Sequence, residues 1–98
     1  MSLPPVTEKQ FQAQVIELAR LLGWGPVYHS WISIRSAPGF PDVVLLRPPR
    51  CIFAELKTEH GRVNVAQHQW LDALRDCPGV EVFVWRPSDL PTIAELLR

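Results

Sequence analysis

Apolar and polar positions follow two periods along this chain, and the switches between them mark its elements. After a Pro-containing lead-in, Thr7-Glu8-Lys9-Gln10 has the form of a capping box, with Thr7 as N-cap and Gln10 three positions on. A helix is expected from Glu8 to about Leu22, ending at Gly23, with Phe11, Val15, Leu18 and Leu22 in one stripe about 60° wide. Residues 24–34 are aromatic and β-branched and read as a first strand, with a break near Ser30. Residues 35–41 read as a loop from their Pro and Gly content. Two short apolar runs follow, Val43-Val44-Leu45-Leu46 and Cys51-Ile52-Phe53-Ala54. Their length suits strands better than helices. The turn-like Arg47-Pro48-Pro49-Arg50 between them is short enough for a hairpin, which makes them antiparallel neighbours. Asn64 caps a second helix from Val65 to Cys77, whose inward stripe is Ala66, Trp70, Leu74 and Cys77. Pro78-Gly79 ends it. Val80 to Trp85 is a strand reached through strand and helix, so a right-handed crossover lays it parallel to a neighbour. Ser88 or Asp89 caps a last helix from Leu90 to Leu97, with Pro91 tolerated in its first turn. The order αβββαβα predicts an α/β fold, a mixed sheet flanked by helices, with residues 1–98 as a single domain.

Composition narrows the setting. The chain has 98 residues, 47% of them hydrophobic, which suits one small globular core. No apolar run approaches the roughly 20 residues of a membrane span, and the first residues lack the pattern of a signal peptide. Cys51 and Cys77 show no metal-ligand spacing and fall in apolar contexts, so reduced core cysteines and a cytoplasmic location are expected. Ten Lys and Arg balance ten Asp and Glu, a formal net charge of zero, where a nucleic-acid partner usually goes with a basic excess. The basic residues are nevertheless grouped: Arg35, Arg47, Arg50, Lys57 and Arg62, with His29, His60 and His68, lie in the middle of the chain.

The chemistry gathers at the end of the third strand. Glu55 and Lys57 share the strand face of Phe53, while Ile52, Ala54 and Leu56 take the other. Carrying both charges out of water costs several kcal/mol per ion unless each finds a partner. Asp42 lies at the mouth of the preceding strand, thirteen positions before Glu55, and the hairpin lets Asp42, Glu55 and Lys57 converge. Two carboxylates at one point repel, and a divalent cation relieves this; oxygen ligands suit Mg²⁺ or Mn²⁺. A lysine beside such an ion fits metal-assisted cleavage of a phosphodiester. Five further positions remain open on residue chemistry alone. Glu8 is either an interior carboxylate or a favourable charge at a helix N-terminus. Gln67, on the apolar face of the second helix, either supports the site or bonds to backbone. His29, Arg35 and Ser36 either contact phosphate or serve the strand and loop that carry them.

Taken together these residues resemble a family. Pro41-Asp42, a spacer of twelve, then Glu55-Leu56-Lys57 matches the PD-(D/E)xK nuclease signature. The wider set (Thr7-Glu8, Ser36, Gly39-Phe40-Pro41-Asp42, Gly61, Asn64 to Gln67, Trp70-Leu71) resembles the VRR-NUC branch, the virus-type replication and repair nucleases, in the stand-alone form common in bacteriophages. The resemblance implies a restriction-endonuclease-like αβββαβ core with a short C-terminal helix added. It implies that Asp42, Glu55, the Leu56 carbonyl and Glu8 serve a Mg²⁺ or Mn²⁺ ion, that Lys57 is the catalytic lysine, and that Gln67 belongs to the catalytic set. Arg35, Ser36, His29 and Arg62 are the residues expected to meet nucleic acid. The implied activity is a metal-dependent, structure-selective DNA endonuclease acting on branched or junction DNA, similar to Holliday-junction resolvases. Such enzymes act as homodimers because two strands need two sites. Two other readings use the same residues: a nucleic-acid-binding module that does not cut, and a protein in which Glu55 and Lys57 form only a buried ion pair.

Overall fold

The computed structural model describes residues 4–30 and 37–98. Its elements are α1 (Glu8–Leu21), β1 (Val27–His29), β2 (Val43–Arg47), β3 (Arg50–Leu56), α2 (Val65–Arg75), β4 (Glu81–Trp85) and α3 (Leu90–Leu97), the last preceded by a 3₁₀ turn at Pro87–Asp89. The four strands form one sheet in the order β1-β2-β3-β4. β1–β2 and β2–β3 are antiparallel and β3–β4 is parallel, so the sheet is mixed, as the pattern predicts. The β2–β3 hairpin closes through Pro48-Pro49, with Arg47 opposite Arg50. Of the strand expected over residues 24–34, Val27–His29 is formed, and residues 31–34 lie outside the described residues.

Register sorts the side chains onto two faces. Val43 pairs with Ala54 and Leu45 with Ile52, and all four are fully buried. With Leu56 and Trp85 they form the sheet side of the main core. Phe11, Val15, Ile16 and Ala19 of α1 and Ile93 and Leu97 of α3 complete it. The alternate positions, Val44 and Phe53, face the other way, toward α2. There Phe40 packs edge-on against Phe53 and Trp70, at 6.2 and 5.1 Å between ring centroids.

The starts of α1 and α2 are capped as predicted, whereas α3 begins after Asp89, whose carboxylate makes no cap bond to that helix and accepts from the Arg86 N–H instead. Thr7 and Gln10 form a reciprocal capping box, and Gly23, at φ 87°, turns the chain so that the Trp24 N–H reaches the Ala19 carbonyl at 3.0 Å. Two details depart from the pattern. The buried arc of α1 is Phe11, Gln12, Val15, Ile16 and Ala19, with Leu18 and Leu22 at its margin. It is rotated toward Gln12 because the Gln12 amide reaches the Ser30 carbonyl at 3.3 Å, so even a polar side chain is satisfied there. On this rotated arc Glu8 lies near the middle, about 60° round from Phe11, rather than at an edge. α2 ends at Arg75, before the stripe reaches Cys77, and Cys77 is exposed; Cys51 is half-buried, and both thiols are free. Neither is a core cysteine.

The hairpin end of the sheet is a structural lock. The Arg47 and Arg50 guanidinium groups lie over the Trp24 ring at 4.7 and 4.9 Å. Arg47 also donates to the carbonyls of Leu22 and Leu97, and Arg50 to Leu96 and the Glu81 carboxylate. Trp24 Nε1 joins them on Leu97 at 2.8 Å. These arginines cap the exposed carbonyls at the end of α3. They stand at the opposite end of the strands from Asp42 and Glu55 and do not add to a basic surface there. Among the described residues no helix is long and apolar enough to cross a membrane.

Candidate active site

Asp42 and Glu55 meet one step beyond the last β2–β3 pair, Val43 and Ala54. The Asp42 carbonyl accepts from the Ser30 N–H at 3.0 Å, and its Oδ2 accepts from the Leu56 N–H at 2.8 Å. The side chain is thereby fixed through the backbone on either side of it. Glu55 is 1% exposed, and one of its oxygens, Oε1, accepts from the Gln67 amide at 3.2 Å. Its other oxygen, Oε2, is buried and receives no donor. Burial first, and then the Asp42 carboxyl beside it, push the Glu55 pKa up to about 9, against the pull of Lys57. In the absence of a cation Glu55 thus keeps its proton at neutral pH.

Lys57 follows on the same face and is half-buried. Among the described residues no carboxylate stands at ion-pair distance from its ammonium. The buried Glu55–Lys57 ion pair that would make this motif purely structural is not formed. Glu8, at the first turn of α1, is solvent-exposed, but its carboxyl is raised above the usual range, by partial burial first and then by Asp42, with Lys57 acting the other way. The electrostatic reach of Asp42, Glu55 and Lys57 therefore includes Glu8. Among the described residues no three His, Cys, Asp or Glu side chains converge closely enough to form a ready cage. The donor set is a pair of carboxylates, with Glu8 at the rim. A pair fits Mg²⁺ or Mn²⁺, because Mg²⁺ is held by one or two carboxylates while keeping several waters. The buried, donorless Oε2 of Glu55 is the position a cation would satisfy.

Gln67 resolves the two roles open to it by filling both. Its backbone N–H donates to Asn64 Oδ1 and its Oε1 accepts from the Asn64 N–H, each at 2.9 Å. With Oε1 occupied, the amide has only its NH₂ group left to present to Glu55. The cap of α2 therefore fixes which end of the amide meets the carboxylate, and so the rotamer of Glu55. The sequence reading identified Asn64 as a cap but not the reciprocal box, which was legible as Asn-x-x-Gln.

The Gly39-Phe40-Pro41-Asp42 segment sets the distance between α2 and the strands. Gly39 has φ 82°, and a Cβ there would lie 2.3 Å from the Ala66 carbonyl carbon and 2.7 Å from the Gln67 nitrogen. Glycine lets this loop touch the backbone of α2's first turn. Trp70 Nε1 donates to the Pro38 carbonyl at 3.1 Å, which ties the same loop to the helix one turn on. This contact has no signal in the sequence beyond the glycine itself.

The remaining expected residues are dispersed. His29 is the register partner of Val43, so its ring lies on the α1 side of the sheet, where it lines a groove with Ala13, Ile16, Glu17, Arg20 and Leu21. That is the face opposite Glu55 and Lys57. Arg62 is exposed in the connection between β3 and α2. Arg35 and Ser36 lie outside the described residues.

Comparison with known proteins points one way. The VRR-NUC domain family model matches residues 6–89, which is most of the chain. A solved structure of a VRR_NUC domain protein superimposes with a TM-score of 0.71 over 95% of this chain and 87% of that one, at 18% sequence identity. At that identity the likeness is one of fold. No curated protein matches the chain.

Proposed function

Because the chain belongs to the VRR-NUC family of nucleases, we propose that it is a metal-dependent DNA endonuclease with Asp42, Glu55 and Lys57 at its centre. The observation that carries this reading is the Glu55 carboxyl, buried beside Asp42 with one oxygen that has no donor among the described residues, and a lysine two residues away that has no ion-pair partner among them. An arrangement that serves stability alone has no use for that combination, since a buried polar oxygen left without a hydrogen-bond partner is costly.

Each residue has a distinct task in this account. Asp42 and Glu55 hold Mg²⁺ or Mn²⁺, with the Leu56 carbonyl as a further oxygen and Glu8 adding negative charge at the rim. When bound, the cation supplies charge neutralisation at a phosphate oxygen and acidifies a coordinated water. Gln67 keeps the Glu55 carboxylate in one orientation. Lys57 places an ammonium where negative charge grows as the phosphodiester is attacked. Arg62 extends contact along the nucleic-acid backbone, a role proposed also for Arg35 and Ser36, whereas His29 faces α1 on the other side of the sheet and takes no part in it.

The substrate proposed is branched or junction DNA, cut by a homodimer that supplies two sites. A chain of this size has little surface for reading bases, so shape outweighs sequence. The test is a panel of duplex, supercoiled and four-way-junction DNA in Mg²⁺, Mn²⁺ and EDTA. Metal-dependent cutting with preference for the junction supports the proposal. Equal rates on duplex and junction of the same sequence contradict the structural selectivity, and no cutting at all favours a binding module on a nuclease fold. Light scattering that gives only the 11.2 kDa monomer at working concentration contradicts the dimer.

A further inference from the structure

The chain leaves β3 at Lys57 and turns sharply through residues 58–61, and that turn is gripped by a side chain from the neighbouring strand. The Lys57 N–H donates to the Trp85 carbonyl at 2.9 Å, one step past the Leu56–Trp85 pair, so Arg86 stands beside Lys57 at the end of the sheet. Arg86 Nη1 donates to the carbonyls of Thr58 at 2.6 Å, Gly61 at 2.7 Å and Glu59 at 3.2 Å. The Arg86 N–H is itself fixed by Asp89 Oδ2 at 2.8 Å, and the Glu59 carboxylate accepts from the Ser88 hydroxyl at 3.0 Å. Turn and clamp are thus tied to the same 3₁₀ turn.

Two features set this apart from an ordinary surface turn. Among the described residues Arg86 has no carboxylate at ion-pair distance, so a full charge is committed to neutral carbonyls. Charge-assisted bonds are about twice as strong as neutral ones, and this turn already has its own Gly61 N–H to Thr58 carbonyl bond at 3.2 Å. The turn also touches the lysine. A Cβ on Gly61 would lie 3.5 Å from Lys57 Cδ and 3.0 Å from Thr58 Oγ1, so the Gly61 backbone runs along the lysine stem. That stem is four flexible carbons long, and no ion pair orients its tip.

We infer that Arg86 is a positioning residue for Lys57. By holding the carbonyls of Thr58, Glu59 and Gly61 it fixes the wall against which the lysine stem packs, and so sets where the ammonium stands relative to Asp42 and Glu55. The catalytic consequence rests on the nuclease reading; the placement of the lysine does not.

The experiment compares wild type, Lys57→Ala, Arg86→Ala and Arg86→Lys by single-turnover cleavage at varied DNA and Mg²⁺, by thermal melting, and by crystal structures of wild type and Arg86→Ala. Folded Arg86→Ala is expected to lose about 10- to 100-fold in rate while its half-saturating DNA and Mg²⁺ stay within about twofold, because misplacement of a reacting group by ~1 Å acts on the chemical step. All three bonds come from Nη1, and the ammonium of Arg86→Lys ends one bond short of that position, so this variant falls between. In the Arg86→Ala crystal the Lys57 ammonium is displaced by about 1 Å or more. A wild-type rate in folded Arg86→Ala overturns the inference, as does a loss in which the Mg²⁺ midpoint moves with the rate, or a lysine that has not moved. If Arg86→Ala does not fold, a full rate in Arg86→Lys overturns it. A wild type that cuts nothing overturns the nuclease reading instead, and the lysine positions in the Arg86→Ala and wild-type crystals then decide the placement alone.

Discussion

At the scale of single residues the account turns on Glu55. A carboxyl with 1% of its surface exposed, set beside another carboxyl, keeps its proton well past neutrality. The consequence for stability has a definite sign. In the unfolded chain Glu55 loses its proton near the ordinary pKa of ~4.3, whereas in the folded protein it does so at about 9. Its contribution is therefore full below the unfolded value and is lost as pH rises through the folded one. In EDTA the urea midpoint of the wild type should fall between pH 6 and 9, by an amount on the order of a few kcal/mol in unfolding free energy. Glu55→Gln, which cannot ionise, should flatten that slope; an identical slope in both proteins would contradict the assignment. Added Mg²⁺ should stabilise the wild type increasingly toward high pH, because it takes the place of the proton. The identities of Asp42, Glu55 and Lys57 were legible in the sequence because type and spacing carry them. The proton that Glu55 keeps was not, since it depends on how deeply β3 is covered.

At the scale of elements, local rules carried most of the information. Capping residues, a hairpin-length connection and a glycine stop located α1, β2, β3 and α2 to within a residue or two. The rotation of α1 was not legible, because Gln12 finds its partner just past the end of β1, 18 positions away, and the expected stripe counted only apolar side chains. The same blindness hid the role of Gly39, whose contact with α2 is made across the chain. That contact yields a prediction. Gly39→Ala places a methyl group against the Ala66–Gln67 backbone in a conformation that L-residues resist, and should destabilise the fold by about 2–4 kcal/mol. Because α2 carries Gln67, Mg²⁺ affinity should fall as well. An unchanged urea midpoint would show that α2 is held to the strands by other means.

At the scale of the whole molecule the sheet has a division of labour between its ends. The hairpin end carries Trp24, Arg47 and Arg50, which lock the last helix. The other end gathers Asp42, Glu55, Lys57 and Gln67, with Glu8 and Arg86 at the rim. This division explains why the grouping of basic residues in the sequence misled: Arg47 and Arg50 count toward local charge but face the wrong end. With a net charge of zero the molecule has no overall basic excess, so on the proposed function its affinity for DNA comes from few contacts and from the metal. The measurement that tests the central claim most directly is Mg²⁺ binding by calorimetry combined with junction cleavage, for wild type, Glu55→Gln and Lys57→Ala. The account predicts that wild type binds Mg²⁺ and cuts, that Glu55→Gln folds but loses both, and that Lys57→Ala binds Mg²⁺ yet fails to cut. Cleavage by Lys57→Ala at the wild-type rate, or Mg²⁺ binding undiminished in Glu55→Gln, would contradict it.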